Sequence, residues 1–434
     1  MKLKRREKKR LKISILLFLP LLFISIIGLI TLLSTTIQTD GSFGELSIVN
    51  KQIIFLVIGF ISYILISLVD ISIFRHWQLV LPMYIFTLLL LISVLLFGPT
   101  INNVKRWLVF GGIQIQPSEI AKISIIFTTS WIFSYKDRYN EWLLFFVSLL
   151  FALPLVVLIY LEPAGSMSIL TLTIWFLVAF TGLSNQLRNT LSLIIMSLLG
   201  STFLLISITG NWLFLLFFLM AFVIAIFSYY YRNSWRVIVV GSVVTGLLLG
   251  SFSLLIYRGV LKDYQKDRIV AFINPTESSS DIGFNVNQAR IAIGSGQIWG
   301  KGFGNGTQSK RDFLPEHQTD FIFASFAEEF GLVGCIILLS LYSVVVFKGL
   351  MVAVDSADNL LFSMIVMGIV MKLVLEVFIN IGTNTGIIPA TGIPLPLVSA
   401  GGTITLVSLF SLGVIQSIMN KESFGKGSSI IDNS

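Results

Sequence analysis

The residues in this sequence most able to do chemistry are carboxylates and cations set in or beside apolar runs. In Gln116-Pro117-Ser118-Glu119-Ile120-Ala121-Lys122, Glu119 and Lys122 are three apart, so a helix presents both on one face where they can pair. Proline at a first helical position, with Ser118 and Glu119 in the first turn, reads as a helix start. Charges at membrane depth are costly and usually functional, although a helix start with an interfacial, snorkelling lysine accounts for the same residues. Further along, Glu277 and Asp281 lie in a polar stretch that also holds Arg268, and a carboxylate beside arginine near a bound phosphate is a candidate general base. The segment Ala292 to Gly302 carries glycines that permit close approach of backbone to a ligand, but no Walker lysine-serine pair follows. Leu314 to Ala324, with His317 and Asp320, enters an apolar run in which Glu328 and Glu329 sit side by side about two turns in. Thr391 to Gly402 contains Pro394 and Pro396 and cannot be continuous helix. Broken backbone at membrane depth must be buried in protein or line a watery cavity, so this segment, with Ser399, is expected to line a site.

These groups need a scaffold, and composition restricts it. Of 434 residues, 55% are hydrophobic and 12% charged, and the mean hydropathy is +0.90. Soluble domains carry roughly 25% charged residues. Apolar spans are expected near 13–34, 52–70, 78–98, 119–135, 142–161, 166–183, 190–209, 212–229, 237–257, 320–347, 360–380 and 402–419. Continuous runs of roughly 18–22 residues are helices and exclude a transmembrane β-barrel, whose strands alternate in units of about ten. The expected fold is therefore an all-α polytopic membrane protein of about twelve transmembrane helices, a single bundle over 13–419 with a long extracellular loop at 258–319. A basic N-terminus (1–12) and a tail (420–434) flank it. One cysteine, Cys335, precludes an internal disulfide, and His76 and His317 cannot build a His-rich metal site.

The net charge of +8 does not indicate nucleic acid. Eight basic residues and one acid, Glu7, occupy Met1 to Lys12 directly before the first apolar run, which is the signal that keeps an N-terminus cytoplasmic. That run is too long for a cleaved signal and no small-x-small site follows it. The connections that should then be cytoplasmic carry Arg75, Lys136, Arg138, Arg188, Arg232, Arg236, Lys348, Lys421 and Lys426. The basic loop at 258–319 suits an anionic ligand at the outer surface.

The words Arg106-Trp107-Leu108, Gln116-Pro117-Ser118-Glu119, Gly300-Lys301-Gly302, Leu314-Pro315-Glu316, Thr319-Asp320-Phe321-Ile322-Phe323 and Gly392-Ile393-Pro394-Leu395-Pro396 stand in collinear order. Together they resemble the SEDS family (shape, elongation, division and sporulation), and more its RodA than its FtsW branch. The resemblance implies a core of ten helices, so the apparent twelve include a two-helix insertion within Leu191–Tyr257. It implies an inverting peptidoglycan glycosyltransferase of the cytoplasmic membrane, both termini cytoplasmic, that polymerises lipid II for elongation and rod shape. A class B penicillin-binding protein and the elongation machinery are the implied partners. A base takes the proton of the acceptor hydroxyl, which attacks the donor's anomeric carbon as undecaprenyl pyrophosphate leaves. Lys105, Arg106, Lys122, Arg268 and Arg290 are the cations expected to stabilise the developing charge, with no certain cofactor and a divalent cation, magnesium or manganese, admissible in the same role. Glu119, Lys301, His317, Asp320 and Ser399 complete the expected substrate contacts. A non-catalytic scaffold and a lipid flippase or transporter are the alternatives.

Two departures from the family pattern fall on this chemistry. The family's presumed catalytic aspartate aligns with Ser278, which leaves Asp281, ahead of an expected Ile282-Gly283-Phe284 turn, and Glu277 as candidate bases. Where relatives have Gln-Pro-Asp, this chain has Glu162-Pro163-Ala164. The topology has a direct check. A cysteine at Asn305 is expected to react with an impermeant thiol reagent in intact cells and one at Asn233 to stay unlabelled; the reverse pattern would invert the orientation.

Overall fold

The computed structural model describes residues 13–37, 42, 46–100, 104–111, 113–208, 223, 226, 239–241, 243–246, 281–310 and 316–431. Its helices are α1 (Ile15–Thr35), α2 (Ser47–Ser67), α3 (Trp77–Phe97), α4 (Pro117–Phe133), α5 (Glu141–Leu161), α6 (Gly165–Gly182), α7 (Asn185–Ile208), α8 (Asp281–Gly296), α9 (Ile322–Asp355), α10 (Leu360–Thr385) and α11 (Gly402–Ile431). A 3-10 turn (Ile71–Arg75) precedes α3 and a single helical turn (Thr307–Lys310) precedes α9. Among the described residues the all-helical expectation holds apart from one antiparallel hairpin, β1 (Leu108–Phe110) and β2 (Ile113–Ile115), in which Leu108 faces Ile115. Among the described residues eight helices are long and apolar enough to cross a membrane: α1, α2, α3, α5, α6, α9, α10 and the Gly402–Lys421 part of α11. Most of the expected spans at 212–229 and 237–257, together with Arg268, Glu277 and Ser278, lie outside the described residues.

Chain contacts divide the protein into a unit of Met1–Gly182 with Ala271–Ser434 and a second unit of Leu183–Val270. Within the second, α7 meets residues 243–246 closely enough that a Cβ on Gly246 would clash with the Ser197 hydroxyl. In the larger unit, α4 is the central rod. Fifteen of its seventeen residues are buried, all but Ile120 and Trp131, and α3, α5, α6 and α10 surround it. A helix enclosed on every side carries apolar residues all round, and here Ser118, Glu119, Lys122, Ser124 and Ser130 interrupt them. The outer helices show the opposite pattern. Ile54, Val57 and Ile61 on α2 and Phe86 and Leu89 on α3 are more than half exposed, a surface that hydrocarbon tolerates and water does not.

The expected extracellular loop contains ordered structure. Its 281–296 stretch is α8, which lays Val286, Ala289, Ala292 and Ile293 against Phe321 and Ala324 at the start of α9. That spacing of three to four is the apolar stripe of an amphipathic helix. Ile282, Gly283 and Phe284, expected as a turn, form the first turn of this helix instead, because the apolar stripe that follows them packs against the start of α9.

Helix α9 is broken at Gly331 (φ 64°, ψ −165°), and the glycine-rich segment after α8 repairs the break. The Lys301 and Gly302 N–H groups donate to the Glu328 and Glu329 carbonyls at 3.0 and 2.9 Å. In return Leu332 and Val333 donate to the carbonyls of Gln297 and Ile298 at 2.9 and 3.1 Å. Backbone groups freed at membrane depth need such partners. The glycines are thus explained by contact with α9 rather than with a ligand: a Cβ on Gly296 or Gly300 would lie 2.0 Å from the carbonyl oxygen of Ala327 or Glu329. Gly294, with nothing within 4 Å of its Cβ position, is the internal control. Gly300→Ala, at φ +78°, is expected to lower the thermal midpoint in detergent by an amount corresponding to about 2–4 kcal/mol, as overpacking and left-handed strain combine. Gly294→Ala should be neutral or stabilising by about 0.5–1 kcal/mol; equal effects at the two positions would remove the docking role.

Candidate functional site: a buried ion network and an outer arginine

Pro117 starts α4 where the hairpin ends, and Thr403 on α11 fixes that start by accepting from Gln116 N at 3.0 Å and donating to the Gln114 carbonyl at 3.2 Å. Lys122, five residues in, therefore sits roughly 8 Å along the helix, fully buried. Its Nζ lies 2.8 Å from Glu119 Oε1 and 2.6 Å from Glu376 Oε1 on α10. Glu376 Oε2 in turn meets Lys372 Nζ at 2.9 Å, one turn away on the same helix. Two cations and two carboxylates, all at most 2% exposed, thus form one electrically balanced chain linking α4 to α10. The Glu119–Lys122 pairing follows the three-residue spacing. Lys372 and Glu376 did not figure among the sequence candidates, although two charges four apart inside an apolar run were the available signal. Glu119 Oε2 and Ser118 Oγ are buried with no hydrogen-bond partner among the described residues.

A second polar seam holds the proline-rich segment. Ser399 Oγ donates to the Thr319 carbonyl at 2.6 Å and accepts from Leu395 N at 2.7 Å. Asn380 donates to the carbonyls of Asp320 and Ile393, each at 2.9 Å. Asn384 accepts from Ala324 N at 3.1 Å and donates to the Asp320 carbonyl at 3.0 Å. Tyr342 on α9 donates to the Pro396 carbonyl. The segment is buried in protein, as its prolines require, and Ser399, predicted to contact substrate, is occupied in holding it.

Lys301 also has a local partner. Its Nζ reaches Glu328 Oε1 at 2.6 Å and the Thr307 hydroxyl at 2.8 Å, and Glu328 further accepts from Thr307 N and Oγ1 at 2.9 and 2.7 Å. Glu328, one of the two adjacent acids noted in the sequence, therefore clasps the turn after α8 to α9. Its neighbour Glu329 accepts from Ser34 at the end of α1. Arg290 is exposed on α8, its side chain beside Gly386 at the end of α10. Asp320 lies with a carboxylate oxygen against Gly392, and His317 is half-buried in the turn before α9.

Arg106 lies before β1 and donates through its guanidinium to the carbonyl of Pro163, in the turn between α5 and α6. Beside it is Glu162, fully buried. Burial pushes this carboxyl up to about 8, against the opposing pull of the Arg106 guanidinium. Among the described residues no three His, Cys, Asp or Glu side chains converge to hold a metal ion.

A lipid-facing exterior, a broken helix repaired by backbone and an ionised interior define a polytopic helical membrane protein built around buried charge. The chain belongs to the cell cycle protein family of FtsW, RodA and SpoVE, which matches residues 14–215 and 211–423, as the SEDS-like motifs implied. It is 30% identical over 390 residues to the peptidoglycan glycosyltransferase MrdB of Escherichia coli K12, covering 89% of each chain. It is 26% identical over 429 residues to the probable peptidoglycan glycosyltransferase FtsW of Geobacter metallireducens, covering 97% of each. Its fold is that of the rod shape determining protein RodA of Thermus thermophilus, with a TM-score of 0.59 at 22% identity over 95% of this chain and 98% of that one. A chain from a peptidoglycan synthase complex that coordinates polymerization and crosslinking aligns with a TM-score of 0.67 at 22% identity, covering 95% of this chain and 99% of that one.

Stranding a buried charge is worse than removing a pair. Glu376→Leu leaves Lys372 without its carboxylate and is expected to cost about 3–5 kcal/mol in detergent unfolding. The double substitution Lys372→Met with Glu376→Leu should restore much of that loss, because Lys122 keeps Glu119. A double variant less stable than Glu376→Leu alone would contradict the charge-balance reading.

Proposed function

We propose that this chain is a peptidoglycan glycosyltransferase that polymerises lipid II at the outer face of the cytoplasmic membrane and serves elongation and rod shape. The observation that carries the reading is the 30% identity, over 89% of both chains, to a protein named for that activity. The geometry supports an assignment of the parts. Lys122 is closed into a neutral network, which suits a positioning role more than direct capture of pyrophosphate. Arg106, half-buried before β1 with its guanidinium on a turn carbonyl, is the better anchor for the leaving undecaprenyl pyrophosphate. Charge developing on the departing oxygen is stabilised there by a cation already held in place, so little reorganisation is needed.

The acceptor hydroxyl must lose a proton as it attacks the donor's anomeric carbon, and Asp281 or Glu277 is the proposed base. Asp281 begins α8, which packs on α9, so a rigid element carries it. A class B penicillin-binding protein is the proposed partner. Supporting this, the chain's fold matches a subunit of a peptidoglycan synthase complex described as coordinating polymerization and crosslinking. The cytoplasmic-membrane location with both termini inside rests on the distribution of Lys and Arg between the expected connections.

Purified protein incubated with lipid II, with and without its transpeptidase, should yield glycan strands. Asp281→Ala is expected to lower the rate by about 10²–10⁴-fold, the contribution of a general base, with an unchanged thermal midpoint showing that α8 is intact. Loss in Glu277→Ala alone would move the base to that residue, and a gain in Ser278→Asp would show that a carboxylate is missing there. Unchanged rates in all three variants would remove the base from this segment.

A further inference from the structure

We propose that the segment after α8 is re-entrant: its tip, Ile298 and Trp299, dips below the membrane surface and packs against lipid acyl chains. By sequence this stretch belongs to a loop in water, and its side chains do not suit water. Trp299 is 79% exposed and Ile298 56%, two large apolar neighbours left open at one point.

Depth follows from the helices that hold the segment. Helix α1, Ile15–Thr35, has 21 residues and is about 31 Å long, one hydrocarbon thickness of about 30 Å. Ser34, in its last turn, therefore marks an edge of the hydrocarbon. The Ser34 hydroxyl donates to Glu329 on α9 and accepts from Gly304 N at 3.1 Å, which puts Glu329 and Gly304 at the same edge. Helix α9 agrees. Beyond Glu329 the next charge is Lys348, about 29 Å further along the axis, again one hydrocarbon thickness.

The tip lies inside that edge. The Ile298 carbonyl accepts from Val333 N at 3.1 Å, and the Gln297 carbonyl accepts from Leu332 N at 2.9 Å. Val333 is four residues past Glu329, about 6 Å deeper. The chain then climbs back: Lys301 pairs with Glu328 at 2.6 Å, and Gly304 has returned to the level of Ser34. Ile298 thus meets α9 where α9 itself turns apolar surface outward, with Leu332 54% and Ile336 55% exposed. The exposed tip and the exposed helix face are one continuous apolar surface at membrane depth, and acyl chains are the occupant that covers both. A tryptophan suits this level, because its ring is apolar while its indole N–H can reach the headgroup layer. The backbone at this depth is already satisfied by pairing with α9, as a non-helical segment in lipid requires. This contact does not depend on which reaction the chain performs. In the proposed orientation the leaflet concerned is the outer one, the layer that would carry the lipid-linked substrate.

Fluorescence quenching in lipid nanodiscs of phosphatidylcholine and phosphatidylglycerol tests the placement. Single cysteines at Ile298, Trp299 and Asn305, in a Cys335→Ala background, are labelled with bimane. Labels at 298 and 299 are expected to lose intensity when the phosphatidylcholine carries a doxyl group high on its acyl chain, and to be protected from aqueous iodide. The label at Asn305, an exposed residue beyond Gly304, should show the reverse. If the Cys335→Ala background does not fold, the native chain in nanodiscs containing a diazirine-bearing phosphatidylcholine answers the same question. Light should then place lipid adducts on the peptide holding Ile298 and Trp299. Iodide quenching at 299 equal to that at 305, or no lipid adduct on that peptide, overturns the proposal. Protection of 298 and 299 from both quenchers also overturns it, since protein and not lipid would then cover the tip.

Discussion

Two lysines and two glutamates lie at the centre of a bundle whose outer face is hydrocarbon, and each is held there by an opposite charge within 3 Å. Desolvating an ion costs several kcal/mol even after relaxation, so no member is tolerable alone. The geometry of α4 against α10 follows from that constraint, since Lys122 reaches Glu376 only if the two helices lie in contact at that level. Around this pair the remaining helices can be almost purely apolar. The placement of the Gln114–Gln116 corner by Thr403 then delivers Arg106, through the hairpin, to the turn after α5.

Backbone groups obey the same rule as side-chain charges. The break at Gly331 would leave carbonyl and N–H groups bare at membrane depth, and the segment from Gln297 to Gly302 supplies their partners almost as a short paired strand. Glycine is required on both sides because two main chains come within contact of each other, with no room for a Cβ. The Lys301–Glu328 ion pair then locks the segment in place. The motif long enough to mark the family is therefore accounted for by packing, and the reacting groups are better sought elsewhere on the same face.

Much of this was legible in the residues. Helical class, the pairing of Glu119 with Lys122 and the non-helical proline segment all follow from local rules: spacing of three, proline at a helix start, and proline's missing N–H. What escaped was non-local. Lys372 and Glu376 are visible as charges four apart, but only the fold shows that Glu376 has a second partner, Lys122, 254 positions upstream. The glycines of 294–302 read equally as a ligand cradle or a helix-docking strip, because both demand close backbone approach and only the neighbour's identity separates them. Ser399 and Lys301 carried a similar ambiguity, since a polar side chain that binds a carbonyl and one that binds a sugar are the same residue. Ile282-Gly283-Phe284 was misjudged because glycine in a first helical turn looks like a turn when nothing indicates the apolar stripe of α8 meeting α9.

Cancellation of charge between α4 and α10 is the claim on which the rest stands, and a double-mutant cycle on Lys122→Met and Glu376→Gln measures it most directly. Thermal unfolding in detergent and lipid II polymerisation should be read on the native protein, both single variants and the double variant. The account predicts that the two changes are strongly non-additive, with a coupling of about 1–3 kcal/mol in stability and similar activity in the double variant and the worse single one. Additivity within about 0.5 kcal/mol, with native activity in either single variant, would contradict it.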